Sequence, residues 1–310
     1  MRAAKGVNPV QIDPQAAQPP ITPPQGGWSR VDLHIHTTAS DGRLTPAETV
    51  ALAVARGLQV LALTDHDSTE GVAVGIETAR GSGLEVIPGV EINTDTPQGE
   101  AHVLGYFLDH TSTELQERLS DRRRARMARG LGIVTKLQAL GLDVSWERVQ
   151  QIAGADEGGA VGRPHVALAL QEQGYVTTTQ EAFERYIGRG GPAYVNYEKL
   201  TPIEAIGMIR SARGVAVLAH PSTIQGLDSY LPALIASGLE GLECYYGAYP
   251  LDVVQHLVAT ADRLGLVATG GSDYHGTEQT TYNATLGGTN VPMSVVDRLK
   301  ERRRPLPTVS

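Results

Sequence analysis

Cysteine is almost missing from this chain: of 310 residues only Cys244 carries a thiol, which excludes an internal disulfide framework and a cysteine-ligated zinc finger. No apolar run approaches the roughly 18 residues that a membrane-spanning helix needs. Nor does a basic start lead into an apolar stretch of the kind that marks a secretory signal, so the expected location is the cytoplasm. Positive charge is in deficit too. Lys and Arg number 26 against 34 Asp and Glu, a formal net charge of −8, which is wrong for a protein that coats nucleic acid through bulk electrostatics. Double-stranded DNA and membranes are therefore not expected partners, and an anionic substrate must be captured by local groups. Repeats of solenoid length are absent. With 41% hydrophobic residues the chain can bury a sizeable core, and one barrel with an insertion fits its length better than two unrelated domains.

What the chain does have is a distinctive placement of histidines and acids. His34-Ile35-His36, Asp41, His66, Glu91, His102, His220, Asp273 and His275 read together as the scattered ligand set of a cluster of divalent metals. A His-x-His pair alone carries little, because alternate residues of any strand share a face. The company it keeps carries more. Arg30-Val31-Asp32-Leu33 leads into His34, an apolar run at 60–65 into His66, another at 215–219 into His220, and Leu266-Val267-Ala268 through two glycines into Asp273. Strands near 84–88 and 101–107 deliver Glu91 and carry His102.

Helical punctuation separates these runs. Thr45-Pro46-Ala47-Glu48 and Thr201-Pro202-Ile203-Glu204 are both capping boxes with proline at the first helical position, and Gly57 and Gly214 come after them as stops. Repeated strand-to-helix alternation predicts a parallel sheet with right-handed crossovers. Polar residues at the strand carboxyl ends predict an α/β barrel with its site on that face. Residues 1–28 hold six prolines and almost no apolar periodicity, and read as a disordered extension. The βα pattern occupies 29–109 and returns over 201–310, with a closing helix at Ser294 to Lys300. Residues 110–200 have little strand character and form an expected helical insertion that caps the substrate pocket.

Imidazole and carboxylate ligands suit Mn²⁺, Fe²⁺ and Zn²⁺, and the lack of thiolates points to a catalytic rather than a structural site. Nine ligands over-supply one ion, so two or three are implied, with Mn²⁺ favoured. Closely spaced ions supply hydroxide at neutral pH and offset charge on a phosphoryl group, which fits hydrolysis of a phosphate ester. Asp32, directly before the first histidine motif on its strand, would face away from it and serve a structural hydrogen bond.

Asp32-Leu33-His34-Ile35-His36 with Ser40-Asp41-Gly42, Thr64-Asp65-His66-Asp67, Ala219-His220-Pro221 and Gly271-Ser272-Asp273-Tyr274-His275 resemble the motifs of the polymerase and histidinol phosphatase (PHP) superfamily of metal-dependent phosphoesterases, over roughly residues 30 to 290. The resemblance implies a distorted seven-stranded (β/α) barrel with three metals. By it, His34, His36, Glu91 and Asp273 would hold one ion, Glu91, His102 and His220 a second, and Asp41, His66 and His275 a third. The insertion, with Gly162-Arg163-Pro164-His165, resembles the branch acting on nucleoside 3',5'-bisphosphates and 5'-phosphorylated short RNA. There Arg163 and His165 would contact phosphate.

Other residues have plainer readings. Most of Arg118, Arg122, Arg123, Arg124, Arg126 and Arg129 read as a solvated helical face, with one or two left to touch substrate. His110 and His256 read as surface or packing residues. Tyr245 and Tyr246 fit barrel packing or stacking on a base, and Glu243 support of the ligands. Beside this metal-dependent phosphatase or exoribonuclease stand three alternatives: a histidinol phosphate phosphatase or other small-molecule phosphomonoesterase, a noncatalytic metal-stabilised module, and an amidohydrolase. The last lacks a lysine at a strand end for its carbamylated bridge. No side chain is assigned a proton-transfer role, and the oligomeric state is left open.

Overall fold

The computed structural model describes residues 29–96, 99–154, 161–196, 199–247, 249–276 and 285–304. The expected disordered extension at 1–28 lies outside them. Seven strands form one sheet in sequential order: β1 (Val31–Asp32), β2 (Val60–Leu63), β3 (Glu85–Thr96), β4 (Gly99–Tyr106), β5 (Val215–Leu218), β6 (Gly241–Tyr246) and β7 (Val267–Gly271). The ends meet beyond β1 and β7, where the Asp273 amide donates to the His34 carbonyl at 2.8 Å and the His36 amide to the Tyr274 carbonyl at 2.9 Å. The sheet is thereby nearly closed into a barrel.

One expectation fails. The sheet is not all parallel, because β4 runs antiparallel to both β3 and β5. Only residues 97 and 98 separate β3 from β4, whereas a parallel return needs a crossover of a dozen or more residues. Glu91 consequently lies within a twelve-residue strand rather than beyond the end of a short one, and Asn93 stands opposite His102.

Helices α1 (Pro46–Ala55), α2 (Glu70–Thr78), α7 (Pro202–Ser211), α8 (Leu227–Ala236), α9 (Leu251–Arg263) and α10 (Ser294–Arg302) pack around the barrel. Both capping boxes form: the Glu48 amide donates to Thr45 Oγ1 at 3.2 Å and the Thr45 amide to Glu48 Oε2 at 2.8 Å. The corresponding distances at Thr201 and Glu204 are 3.3 and 2.7 Å. Gly57 ends α1 in the left-handed region (φ 75°) as expected, but after α7 that conformation falls on Arg213 (φ 64°). Gly214 is needed for another reason, since a Cβ there would come within 2.8 Å of the Ile209 side chain.

Inside the barrel, Val31, Leu33, Val60, Ala62, Ile87, Leu104, Tyr106, Val215, Val217 and Val267 make one core, closed by Val295, Val296 and Leu299 of α10. The insertion contributes α3 (Thr113–Ala139), α4 (Trp146–Ile152), α5 (Arg163–Glu172) and α6 (Thr179–Ala182), followed by a π-helical turn at Phe183–Ile187. It has a core of its own around Ile133, Leu137, Val149, Val166, Leu170 and Ile187. Leu115 and Leu119, at the start of the same α3, pack in the barrel's outer core instead. Each such buried aliphatic contributes about 1.5–3 kcal/mol, so α3 is anchored at both ends and ties the insertion to the barrel. No helix among the described residues is long and apolar enough to cross a membrane.

Candidate metal centre

The carboxyl ends of the parallel strands, with Glu91 inside β3 and His102 near the amino end of the antiparallel β4, bring the nine sequence-selected residues together. Glu91 is the hub. Its Oε2 lies 3.4 Å from His34 Nε2, 3.3 Å from His36 Nε2 and 2.9 Å from His66 Nδ1. Its Oε1 lies 2.8 Å from His102 Nδ1 and 3.2 Å from His220 Nε2. One carboxylate thus faces two groups of imidazoles, one with each oxygen. Asp273 Oδ1 stands 3.4 Å from His34 Nε2 and 3.1 Å from His36 Nε2. Asp41 approaches His275 Nε2 at 3.5 Å, His36 Nδ1 at 3.7 Å and His66 Nε2 at 3.8 Å. Three sets have ligand atoms within 4.8 Å of one another: His36, Asp41, His66 and His275; His34, His36 and Glu91; and His66, Glu91 and His102. His36 and His66 each belong to two of them.

The donor atoms fit cations. His34 Nε2, His36 Nε2, His102 Nε2 and Glu91 Oε2 are buried with no hydrogen-bond partner, a costly state for polar atoms unless something else coordinates them. Tautomers agree: His275 Nδ1 donates to the Asp273 carbonyl at 2.8 Å and His34 Nδ1 to Glu243 at 2.9 Å, so that in the neutral ring, the form that binds a metal, Nε2 carries the lone pair. Burial opposes the charged forms throughout. Glu243, Asp273 and Glu91 nevertheless push His34 well above the usual histidine range, and Asp273 and Glu91 push His36 up to about 10. Against the same burial, neighbouring imidazoles hold Glu91, Asp41 and Asp273 well below the carboxylate range. The acids therefore stay ionised, and the cluster demands positive charge.

The supporting frame is buried as well. Asp32 has the structural role expected of it, accepting the Ser272 and Gly287 amides, each at 2.8 Å. Asp65 accepts from the Thr37 amide and Ser40 Oγ, both at 2.7 Å, fixing the loop that carries Asp41. His220 and Asp273 have positive φ, 28° and 55°, a strain that non-glycine residues bear where geometry matters more than local comfort.

The PHP domain matches over residues 32–186. The 3',5'-nucleoside bisphosphate phosphatase of Chromobacterium violaceum is 33% identical over 251 residues, spanning 80% of this chain and 87% of its own. The chain belongs to the PHP family. The 5'-3' exoribonuclease Rnm of Salmonella typhimurium is 36% identical over 253 residues, spanning 79% of the PHP chain and 84% of its own. A crystal structure from Bifidobacterium adolescentis, described as a candidate metal-dependent phosphoesterase, shares the fold at TM-score 0.81 and 31% identity, over 92% of this chain and 99% of that one. The PHP chain is a metal-dependent hydrolase of phosphate esters.

Against this centre the insertion sets a cavity of about 220 Å³ lined by Arg126, Arg129, Arg163, Lys199, Glu100 and Phe183 together with Asp41, His66 and His102. The α3 arginines divide by face. Arg124 is exposed and pairs with Asp121, whereas Arg123 reaches Glu70 at 2.7 Å and Arg126 reaches Asp67 at 3.1 Å. Arg163 bonds Glu100 at 2.5 Å and lies over the Phe183 ring, and Lys199 meets the same Glu100 at 2.7 Å. Burial works against Glu100, yet Lys199 and Arg163 keep it ionised, well below the usual range. His165 is buried, its Nδ1 accepting the Gly162 amide at 3.0 Å, so the proton sits on Nε2. Burial lowers its pKa to about 4 and keeps the ring neutral.

Sequence reasoning missed the roles of Asp67, Asn93, Glu100 and Lys199. Glu100 and Asn93 had a signal, two residues before His102 and two after Glu91 on their strands and hence on the same faces, and Asp67 stands in the His66 motif; Lys199 had none. His256 is exposed on α9 and His110 half-buried before α3, both outside the cluster. Tyr245 packs against the barrel's cores. Tyr246 does more than pack: its hydroxyl donates to Asp273 Oδ2 at 2.8 Å.

Proposed function

We propose that this PHP chain removes phosphate from nucleoside 3',5'-bisphosphates or acts at the 5' end of short RNA, in the cytoplasm, with two or three divalent ions, preferably Mn²⁺. The observation that carries this reading is the cationic cavity of about 220 Å³ that shares Asp41, His66 and His102 with the metal-ligand cluster. It is too small for a nucleotide but suits a phosphate group, so a substrate with one phosphate at the centre and another beside it uses both. The names of the two relatives favour the same substrates.

His34, His36, Glu91 and Asp273 would hold one ion, Glu91, His102 and His220 a second, and Asp41, His66 and His275 a third. The two-sided placement of Glu91 supports its being shared. Such ions supply a hydroxide nucleophile at neutral pH and offset charge on the phosphoryl oxygens. Arg163 offers the second phosphate a planar fork, and its bond to Glu100 is what the phosphate displaces. His165 donates from Nε2 as a neutral ring, which binds phosphate without becoming an acid. The insertion covers the pocket and excludes water from it.

Phosphate release by manganese-loaded protein tests this on adenosine 3',5'-bisphosphate, 5'-AMP, histidinol phosphate and a 5'-phosphorylated RNA oligomer, with products identified by mass. Preference for the bisphosphate or the RNA is expected. Release from histidinol phosphate alone, or from none, overturns the substrate assignment and leaves the barrel standing.

A further inference from the structure

Strand β6 contributes none of the nine proposed ligands, although it lies between β5 and β7, which lead to His220 and Asp273. What it contributes is contact with three of them. Glu243 is wholly buried; its Oε1 accepts from His34 Nδ1 at 2.9 Å and its Oε2 from the His220 amide at 2.7 Å. Tyr246 donates its hydroxyl to Asp273 Oδ2 at 2.8 Å.

Residues 243 and 246 are three apart, and in a regular strand they would point to opposite faces. A register shift resolves this: Glu243 pairs with Thr269 and Tyr245 with Gly270, so Cys244 is left over. Such a bulge inserts one residue and re-aims the side chains beyond it, placing Tyr246 on the same inner side as Glu243 while Cys244 packs outward with Leu242. The facing strand is adapted to it. A Cβ on Gly270 would fall 2.2 Å from the Tyr245 carbonyl oxygen, and one on Gly271 2.4 Å from the His34 backbone nitrogen. Two successive glycines are therefore required for the bulge and for the close approach of His34.

Resting on the metal-centre reading above, we propose that β6 is the orienting strand of the centre, with Glu243 and Tyr246 as positioning residues that select which atoms of its neighbours face the ions. Glu243 holds the His34 proton on Nδ1 and presents Nε2. Through the amide it also fixes the left-handed backbone at His220. Tyr246 occupies Asp273 Oδ2 and leaves Oδ1, the oxygen that already faces His34 and His36. Outer partners of this kind typically change metal affinity by about 10–100-fold.

The test is Mn²⁺ binding by titration calorimetry and electron paramagnetic resonance on the full chain, for wild type, Tyr246→Phe and Glu243→Gln, with thermal unfolding of the chelator-treated forms beside it. The expected result is that Tyr246→Phe weakens one class of Mn²⁺ site by about 10–100-fold and alters its spectrum, while the metal-free melting temperature stays at the wild-type value. Glu243→Gln should weaken the same class; if that variant fails to fold, Tyr246→Phe alone decides. Wild-type affinity and spectrum in Tyr246→Phe overturn the proposal, as does a loss of affinity matched by an equal loss of metal-free stability. A wild-type protein that binds no Mn²⁺ removes the metal-centre reading and this inference with it, whereas normal wild-type binding with an unaffected variant removes this inference alone.

Discussion

The barrel and the insertion treat charge in opposite ways. In the barrel, imidazoles and carboxylates are buried at strand ends, and atoms such as His34 Nε2 and Glu91 Oε2 have no hydrogen-bond partner. In the insertion, the long cations that turn toward the barrel lean on its acids: Arg126 on Asp67, Arg123 on Glu70, Arg163 on Glu100. Strands fix a short side chain tightly, as metal ligation requires, while an arginine on a helix can exchange one anion for another at modest cost. On the function proposed above, the difference is a division of labour, with chemistry in the rigid layer and substrate selection in the adjustable one.

Glu91→Gln should break this arrangement most severely. It weakens the carboxylate that meets five imidazoles of the cluster, and the expected loss is about a thousand-fold or more in phosphate release, equivalent to some 4 kcal/mol. Metal content by plasma mass spectrometry should fall with it. Activity within tenfold of wild type would contradict the assignment of Glu91 as the hub. Next in size, Leu137→Ala opens a hole in the insertion's own core, where Leu137 is wholly buried, at a cost of about 2–5 kcal/mol. Faster hydrogen exchange should be confined to α3–α6, with metal content unchanged; metal loss would show that the two regions are one unit.

Smaller again is Arg163→Ala. A charged hydrogen bond of roughly 1.5–3 kcal/mol corresponds to about a 10–150-fold fall in kcat/KM. That fall should appear on adenosine 3',5'-bisphosphate and be nearly absent on a substrate with a single phosphate. Equal losses on both would take Arg163 out of substrate selection.

The same contrast governs what the sequence could reveal. Most of the candidate ligands were legible because apolar runs announce strands and a polar residue after each is conspicuous, so the α/β barrel with its helical insertion emerges from the pattern. The antiparallel β4 was not foreseen, although the two-residue gap before Gly99 leaves no room for a crossover. The bulge at Cys244 left no trace in composition, and Tyr246 therefore read as packing or stacking. Arg163 and Lys199 converge on Glu100 from about 63 and 99 residues away in sequence, and no local period encodes such a meeting. Local rules reach the layer built by strands and stop at the layer built by tertiary contact.

Arg124→Ala is the smallest expected change and the sharpest control on the α3 arginines. Arg124 and Arg126 are two residues apart, so at about 100° per residue their side chains point about 200° apart around the helix. Arg126 turns inward to Asp67, with a side chain only 10% exposed, whereas that of Arg124 is 73% exposed and meets Asp121 on its own helix. A solvated pair of this kind is screened by salt and contributes little. Arg124→Ala should therefore leave kcat/KM on the bisphosphate within about twofold of wild type, while Arg126→Ala removes a cation from the cavity wall and loses about tenfold or more, on the order of one charged hydrogen bond. Similar losses in the two variants would mean that α3 attracts substrate through its summed charge rather than through one face, and raising the salt concentration would then erase both effects together.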